Sequence, residues 1–172
     1  MTPVSAHTLG RPHIRVEMLS DPTYLSGARE LVASVARRLG FGEEGCGQIA
    51  LAVDEALCNI IRHGYDRRKD GPIWISLWPV IEPAAGLVIV LEDLARQVDP
   101  SQIKSRNLDE VRPGGLGVHI IRQVMDEAIY EQRQEGGMRL TLLKKLPAAD
   151  QHDAKAQGAD RPHSSRTGPH HG

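Results

Sequence analysis

IALAVDEALCNIIRHGYD, residues Ile49 to Asp66, is the stretch whose reading decides the fold. Ile49, Val53, Ala56, Leu57 and Ile60 recur at helical spacing, which predicts a helix from about Glu43 to His63, closed by Gly64 and Tyr65. Glu55 and Asn59 are four residues apart, so both side chains stand on one face. They fall at the edge of the apolar stripe, near the small residues Ala52 and Ala56, where a cleft wall would lie. A carboxylate beside a carboxamide suits a magnesium-nucleotide site. The amide oxygen can help hold Mg²⁺, a hard cation that prefers oxygen, and the carboxylate can orient or deprotonate an attacking hydroxyl. Taken alone, an ordinary solvated pair is the commoner meaning of this spacing.

Working outward, Ile14, Val16 and Met18 alternate with Arg15 and Glu17 as in a short strand. Asp21-Pro22 starts a helix carrying Leu25, Ala28, Val32, Val35 and Leu39, with Arg37 and Arg38 in its last turn and Gly40 as its stop. Ile73, Ile75 and Leu77 alternate after the Asp70-Gly71-Pro72 turn. Leu87 to Leu91 is a continuous apolar run, suited to a central strand buried on both faces, and it ends in Glu92-Asp93. Leu94 to Arg112 has no clear period and reads as a long polar loop. Pro113-Gly114-Gly115-Leu116-Gly117 leads into a helix with Val118, Ile121 and Val124 or Met125 inward, and Ala128 to Gln132 and Met138 to Lys145 read as a closing hairpin around Glu135-Gly136-Gly137. The expected organisation is a leader over residues 1–13, one domain over residues 14–146, and a disordered tail over residues 147–172, which has almost no large apolar residue.

Composition narrows the function classes. The formal net charge is -1, from 21 basic and 22 acidic residues, which argues against general nucleic-acid affinity. Aromatics make up 3% of the chain, too few for a base-stacking platform. Cys46 and Cys58 form no CxxC pair and read as small apolar groups in a reducing compartment. No apolar run approaches a bilayer span, and the first residues lack the apolar core of a secretory signal, so a cytoplasmic protein with no membrane partner is expected.

Three pieces carry chemistry: the Glu55/Asn59 pair, Asp93 at the end of the buried strand, and Gly114-Gly115-Leu116-Gly117. A strand-end carboxylate can accept from an exocyclic amine such as that of adenine. Glycines let backbone N–H groups approach phosphate oxygens, and a following helix N-terminus favours anions. Each piece also has a plain structural meaning: a solvated pair, a turn cap, a tight turn. The glycine segment is not a Walker loop, because no Gly-Lys-Ser/Thr follows it.

In this order and spacing, the pieces resemble the GHKL ATPase superfamily, and within it the anti-sigma-factor serine/threonine kinases of bacterial partner-switching systems. Glu55 to Tyr65 is similar to that family's N box, ExxxNxxxHxY. Leu91-Glu92-Asp93 with Val98-Asp99-Pro100 is similar to its first glycine box. Gly114 to Ile121, followed by Met125-Asp126-Glu127, is similar to its second. The resemblance covers about Ile14 to Leu146. It implies an α+β, two-layer Bergerat fold whose mixed, mainly antiparallel sheet is covered on one face by helices. It also implies ATP and Mg²⁺ as cofactors. Asn59 would hold the metal and Glu55 would be the general base. Asp93 would read the adenine amine, and Gly114, Gly115 and Gly117, with Leu116 and Val118 beside them, would form the phosphate-binding lid.

Two departures from the family pattern fall at the base end. Ala95 stands where the family has a glycine, and Met138 follows Gly137 where many relatives have a threonine, with Thr141 three residues on. The implied activity is phosphorylation of a STAS-domain antagonist, which controls a sigma factor or another output protein. The alternative is a non-catalytic partner-switching module with weakened or lost ATP binding. Homodimers are common among such relatives, although no dedicated dimer motif is visible here.

Overall fold

The computed structural model describes residues 10–80, 85–103 and 116–147. The leader up to residue 9, Gly114 and Gly115, residues 104–112 of the polar loop, and the tail from residue 148 lie outside the described residues.

Strand β1 spans Ile14–Leu19. Asp21 accepts a hydrogen bond from the Thr23 backbone N–H and caps a single 3-10 turn, Pro22–Tyr24, which runs straight into helix α1, Leu25–Arg38. The proline start expected of the helix is therefore taken up by this tighter turn. Gly40, at φ +93°, ends the helix, and Arg37 bridges across the bend to Glu43 at 2.8 Å.

Helix α2 is Glu43–Asn59, with Glu43 and Glu44 in the first turn, where the helix dipole favours negative charge. The expected helix to His63 changes character at Ile60: Ile60–Gly64 is a π turn, closed by the Tyr65 N–H on the Ile60 carbonyl at 2.8 Å. Wide turns of this kind are rare and often sit at functional sites. Strands β2 (Pro72–Val80) and β3 (Gly86–Asp93) follow, then helix α3 (Leu116–Val124) and strands β4 (Glu127–Gln132) and β5 (Met138–Lys145).

The sheet order is β1-β2-β3-β5-β4, and every described pair is antiparallel. The helices cover one face. Val32, Ala36, Ile49, Val53 and Leu57 share a core with Ile73, Ile75, Ile89, Leu91, Ile121 and Leu142. Burial of this apolar surface is the main favourable term in folding. Trp78, Val88, Val90 and Leu143 form a smaller cluster on the opposite face, where the Trp78 indole donates to the Gly10 carbonyl. Every residue of β3 is buried, as the continuous apolar run predicts for a central strand. At the end of that opposite face Glu92 is held by Arg139 at 2.8 Å, with Arg15 at 3.5 Å and Arg133 at 3.6 Å. The guanidinium groups of Arg15 and Arg133 also lie over the Trp74 ring.

Candidate active site

Alternation along β3 puts Glu92 on the arginine-lined face and Asp93 on the helix-covered face. There Asp93 is only 3% exposed and lines a cavity of about 230 Å³ with Asn59, Ala95, Val118 and Met138. Asp93 Oδ1 accepts from the backbone N–H of Ala95 at 2.8 Å and of Met138 at 3.1 Å. Both bonds are on one oxygen, so Oδ2 is left for a ligand in the cavity. Burial pushes the Asp93 pKa up, while the two backbone donors and the Arg133 charge oppose the rise.

Several contacts fix the strand end that carries Asp93. Arg133 donates to the Asp93 carbonyl at 2.6 Å. Gly137, at φ +77°, passes so close to that carbonyl that any side chain would collide with it. The buried Tyr65 hydroxyl accepts from the Leu94 N–H at 2.9 Å and donates to the Pro72 carbonyl at 2.6 Å, tying the segment after Asp93 to the start of β2. Tyr65 is thus a brace. Gly71 is the residue that makes room for its ring. His63 lines the cavity and also an adjoining polar hollow of about 680 Å³ rimmed by Arg62, Arg68 and Arg96.

Glu55 and Asn59 lie in the regular part of α2, so their expected common face is preserved. Helix α3 packs beside α2 and brings Gly117 against both. A Cβ on Gly117 would stand 2.6 Å from Glu55 Oε2, 3.3 Å from Asn59 Nδ2 and 3.6 Å from Asn59 Oδ1. The glycine segment and the acid–amide pair, more than fifty residues apart in sequence, therefore meet. Asn59 and Val118 line the cavity; Glu55, Leu116 and Gly117 are not among its lining residues, and Leu116 is exposed.

The two departures take on definite form. Ala95 does not have a positive φ; among the described residues other than glycine, only Asp66 and Arg67 do. The Ala95 methyl lies 2.8 Å from where a Cβ on Gly64 would stand, so it fills the space that Gly64 leaves open. Both Ala95 and Met138 supply Asp93 with backbone donors, which any non-proline residue keeps. Thr141 pairs with Val90 on the opposite face of the sheet, so it does not take the place of a threonine at residue 138.

Sequence reading missed Tyr130, Leu140 and Ile103, which also line the cavity, and Arg133, which holds the Asp93 carbonyl. Hairpin register around Gly136 and Gly137 could have placed Tyr130 on the face of Leu140 and Leu142. Nothing local marks Arg133.

Among the described residues no three His, Cys, Asp or Glu side chains are grouped to hold a metal ion. A cation here would draw on the Asn59 amide oxygen together with nucleotide phosphates and water. Magnesium at phosphoryl-transfer sites is usually held by one or two protein ligands plus substrate oxygens, so the donor set fits it.

A family model described as a histidine kinase-like ATPase domain matches residues 18–144. The chain belongs to that family. It is 28% identical to the serine-protein kinase RsbW of Oceanobacillus iheyensis over 123 residues, covering 67% of this chain and 76% of that protein. It is 25% identical to the Bacillus subtilis RsbW, covering 78% and 86%. It is 28% identical to the anti-sigma F factor of Clostridium novyi, covering 80% and 96%. In fold it is similar to the solved RsbU and RsbW domains of a Mycobacterium tuberculosis protein, with a TM-score of 0.50 at 17% identity; the match covers 78% of this chain and a third (33%) of that one. This is the GHKL anti-sigma kinase family, whose ATPase domain implies use of ATP. Among the described residues no helix is long and apolar enough to cross a membrane.

Proposed function

We propose that this protein is an anti-sigma factor and serine/threonine protein kinase that binds Mg-ATP and phosphorylates a STAS-domain antagonist. The observation that carries the proposal is the meeting of Gly117 with Glu55 and Asn59, of which Asn59 lines the same cavity as Asp93. Asp93 Oδ2 accepts from the adenine amine, with Oδ1 fixed by the Ala95 and Met138 backbone. Gly114, Gly115 and Gly117 give backbone access to the phosphates, with Leu116 and Val118 flanking them, and Asn59 supplies one oxygen to Mg²⁺. When bound, the metal offsets phosphate charge.

Glu55 takes the proton of a serine or threonine hydroxyl as its oxygen bonds to the γ-phosphorus and the bond to the ADP oxygen breaks. Such transfer depends mainly on positioning and charge neutralisation, which suits a site of few residues. The unphosphorylated antagonist binds the kinase and releases a sigma factor or another output protein. The same reading puts the protein in the cytoplasm.

A second reading, a partner-switching module without transfer, rests on Met138, whose thioether offers the base no hydroxyl. One experiment separates the two. The protein is incubated with labelled ATP, Mg²⁺ and the STAS protein encoded beside it, next to Glu55→Ala. Label on serine or threonine with wild type and a loss of about 10²–10⁴-fold with the variant, at unchanged nucleotide affinity, supports the kinase. Antagonist binding without label supports the module.

A further inference from the structure

Arg133 is the first residue after β4. Its backbone closes the hairpin: the N–H donates to the Gly137 carbonyl at 3.1 Å, and the carbonyl accepts from the Gly136 N–H at 3.3 Å and the Gln97 amide at 2.6 Å. Its side chain is only 10% exposed. A charge so placed is costly unless it is paired and hydrogen-bonded. The partners are the Asp93 carbonyl at 2.6 Å, Glu135 at 2.9 Å, Glu92 at 3.6 Å and the Trp74 ring. Arg133 Nε is buried and makes no hydrogen bond, because Glu92 Oε1 stands just out of reach. The guanidinium is thus seated on the Asp93 carbonyl at the expense of its pair with Glu92, which Arg139 already holds at 2.8 Å. The β3–β5 ladder ends at Glu92 opposite Arg139, so Arg133 supplies the Asp93 carbonyl with a donor where the ladder has stopped.

We propose that Arg133 is a positioning residue for base recognition, holding Asp93 by its main chain so that the carboxylate meets the amine of the bound base. Arg133 does not line the cavity and acts only through Asp93. Burial pushes the Asp93 carboxyl up; the Ala95 and Met138 donors and then the Arg133 charge oppose that rise and favour the ionised form that accepts from an amine. The other titratable groups near Asp93 are His63 and Arg96 on the cavity wall, Tyr65, whose hydroxyl accepts from the Leu94 N–H, and Glu92 on the opposite face. The inference rests on the nucleotide-site reading above.

The test compares wild type, Arg133→Met and Arg133→Lys in the full chain, measuring binding of Mg-ATP and of magnesium tripolyphosphate by calorimetry across the acid range. Tripolyphosphate has no base, so it controls for titration of phosphate and of His63. Arg133→Met should bind Mg-ATP about tenfold more weakly and tripolyphosphate equally well. Its loss of Mg-ATP binding on acidification should begin at higher pH than in wild type, because the Asp93 carboxyl has lost an opposing charge. Arg133→Lys keeps the charge and a donor, and should recover most of the affinity and return the acid limb toward its wild-type place. If Arg133→Met does not fold, the lysine variant decides: a loss for Mg-ATP larger than for tripolyphosphate supports the role, and equal losses or none overturn it. In Arg133→Met, Mg-ATP affinity within about twofold of wild type, equal losses for both ligands, or an unmoved acid limb overturns the role of Arg133 alone. No binding of millimolar ATP by wild type overturns this inference together with the nucleotide reading.

Discussion

A Cβ on Gly117 would lie 2.6 Å from Glu55 Oε2, so the absence of a side chain on α3 allows the carboxylate of α2 to stand where it does. The obstructed atom is the far end of a flexible side chain, so Gly117→Ala can be accommodated by turning Glu55 away. The fold should tolerate this, because alanine in a helix is favoured over glycine by up to ~1 kcal/mol. Phosphotransfer should fall at least tenfold while the melting temperature holds or rises. Unchanged transfer would show that Glu55 has no need of its present position.

Asp93→Asn should separate stability from binding. Burial raises the Asp93 pKa above its ordinary 3.8, so the native state keeps the proton to higher pH than the unfolded chain. Its contribution to stability is therefore most favourable below the ordinary aspartate range and is lost as pH rises through the raised value. The amide keeps an oxygen for the Ala95 and Met138 donors and removes the buried charge. Melting at pH 7 should be no lower than wild type, with a flatter pH dependence on the acid side, and Mg-ATP binding should be lost. Retained ATP binding would remove Asp93 from base recognition.

Gly64 and Ala95 share one space, and exchanging their roles should be nearly neutral. Gly64→Ala alone brings two methyl carbons to 2.8 Å and should destabilise by about 1–3 kcal/mol. Ala95→Gly alone should cost up to ~1 kcal/mol through backbone freedom and leave ATP affinity within about twofold, given where the methyl points. The double variant should recover most of the Gly64→Ala loss, measured as a coupling energy by urea denaturation. Additive losses would show that the two sites do not touch. A clear gain in ATP affinity from Ala95→Gly would show that the methyl obstructs the base.

Tyr65→Phe removes the hydroxyl that joins the Leu94 N–H to the Pro72 carbonyl. The ring and its seat over Gly71 remain. Leaving two backbone groups unpaired near the core should cost about 1–3 kcal/mol. Denaturant unfolding at constant m-value reads this directly, and a loss under 0.5 kcal/mol, roughly the range of an ordinary surface change, would mean that Tyr65 braces nothing.

The sequence by itself determined most of the elements and the family. Periods of 3.6 and 2 reveal α1, α2, β1 and β2, and a continuous apolar run reveals the buried strand β3, because burial imposes those patterns on a chain. The spacing of Glu55 and Asn59 fixed their common face, since helix geometry makes residues four apart neighbours. Two helix boundaries shifted because a local detail intervened: a 3-10 turn at Pro22 and a π turn at Ile60. Only the tertiary structure decided which distant groups meet. Gly117 reaches Glu55 because α3 packs on α2, and Asp93 is held by Met138 because β5 pairs with β3. Sequence reading treated Ala95 and Met138 as side-chain departures, whereas the structure uses their backbone N–H groups. Tyr130 entered the cavity through strand register, and Thr141 was excluded from it by the same register. Helical and strand periods are local properties of a chain. Contacts between elements depend on how their faces dock, and no local pattern encodes that.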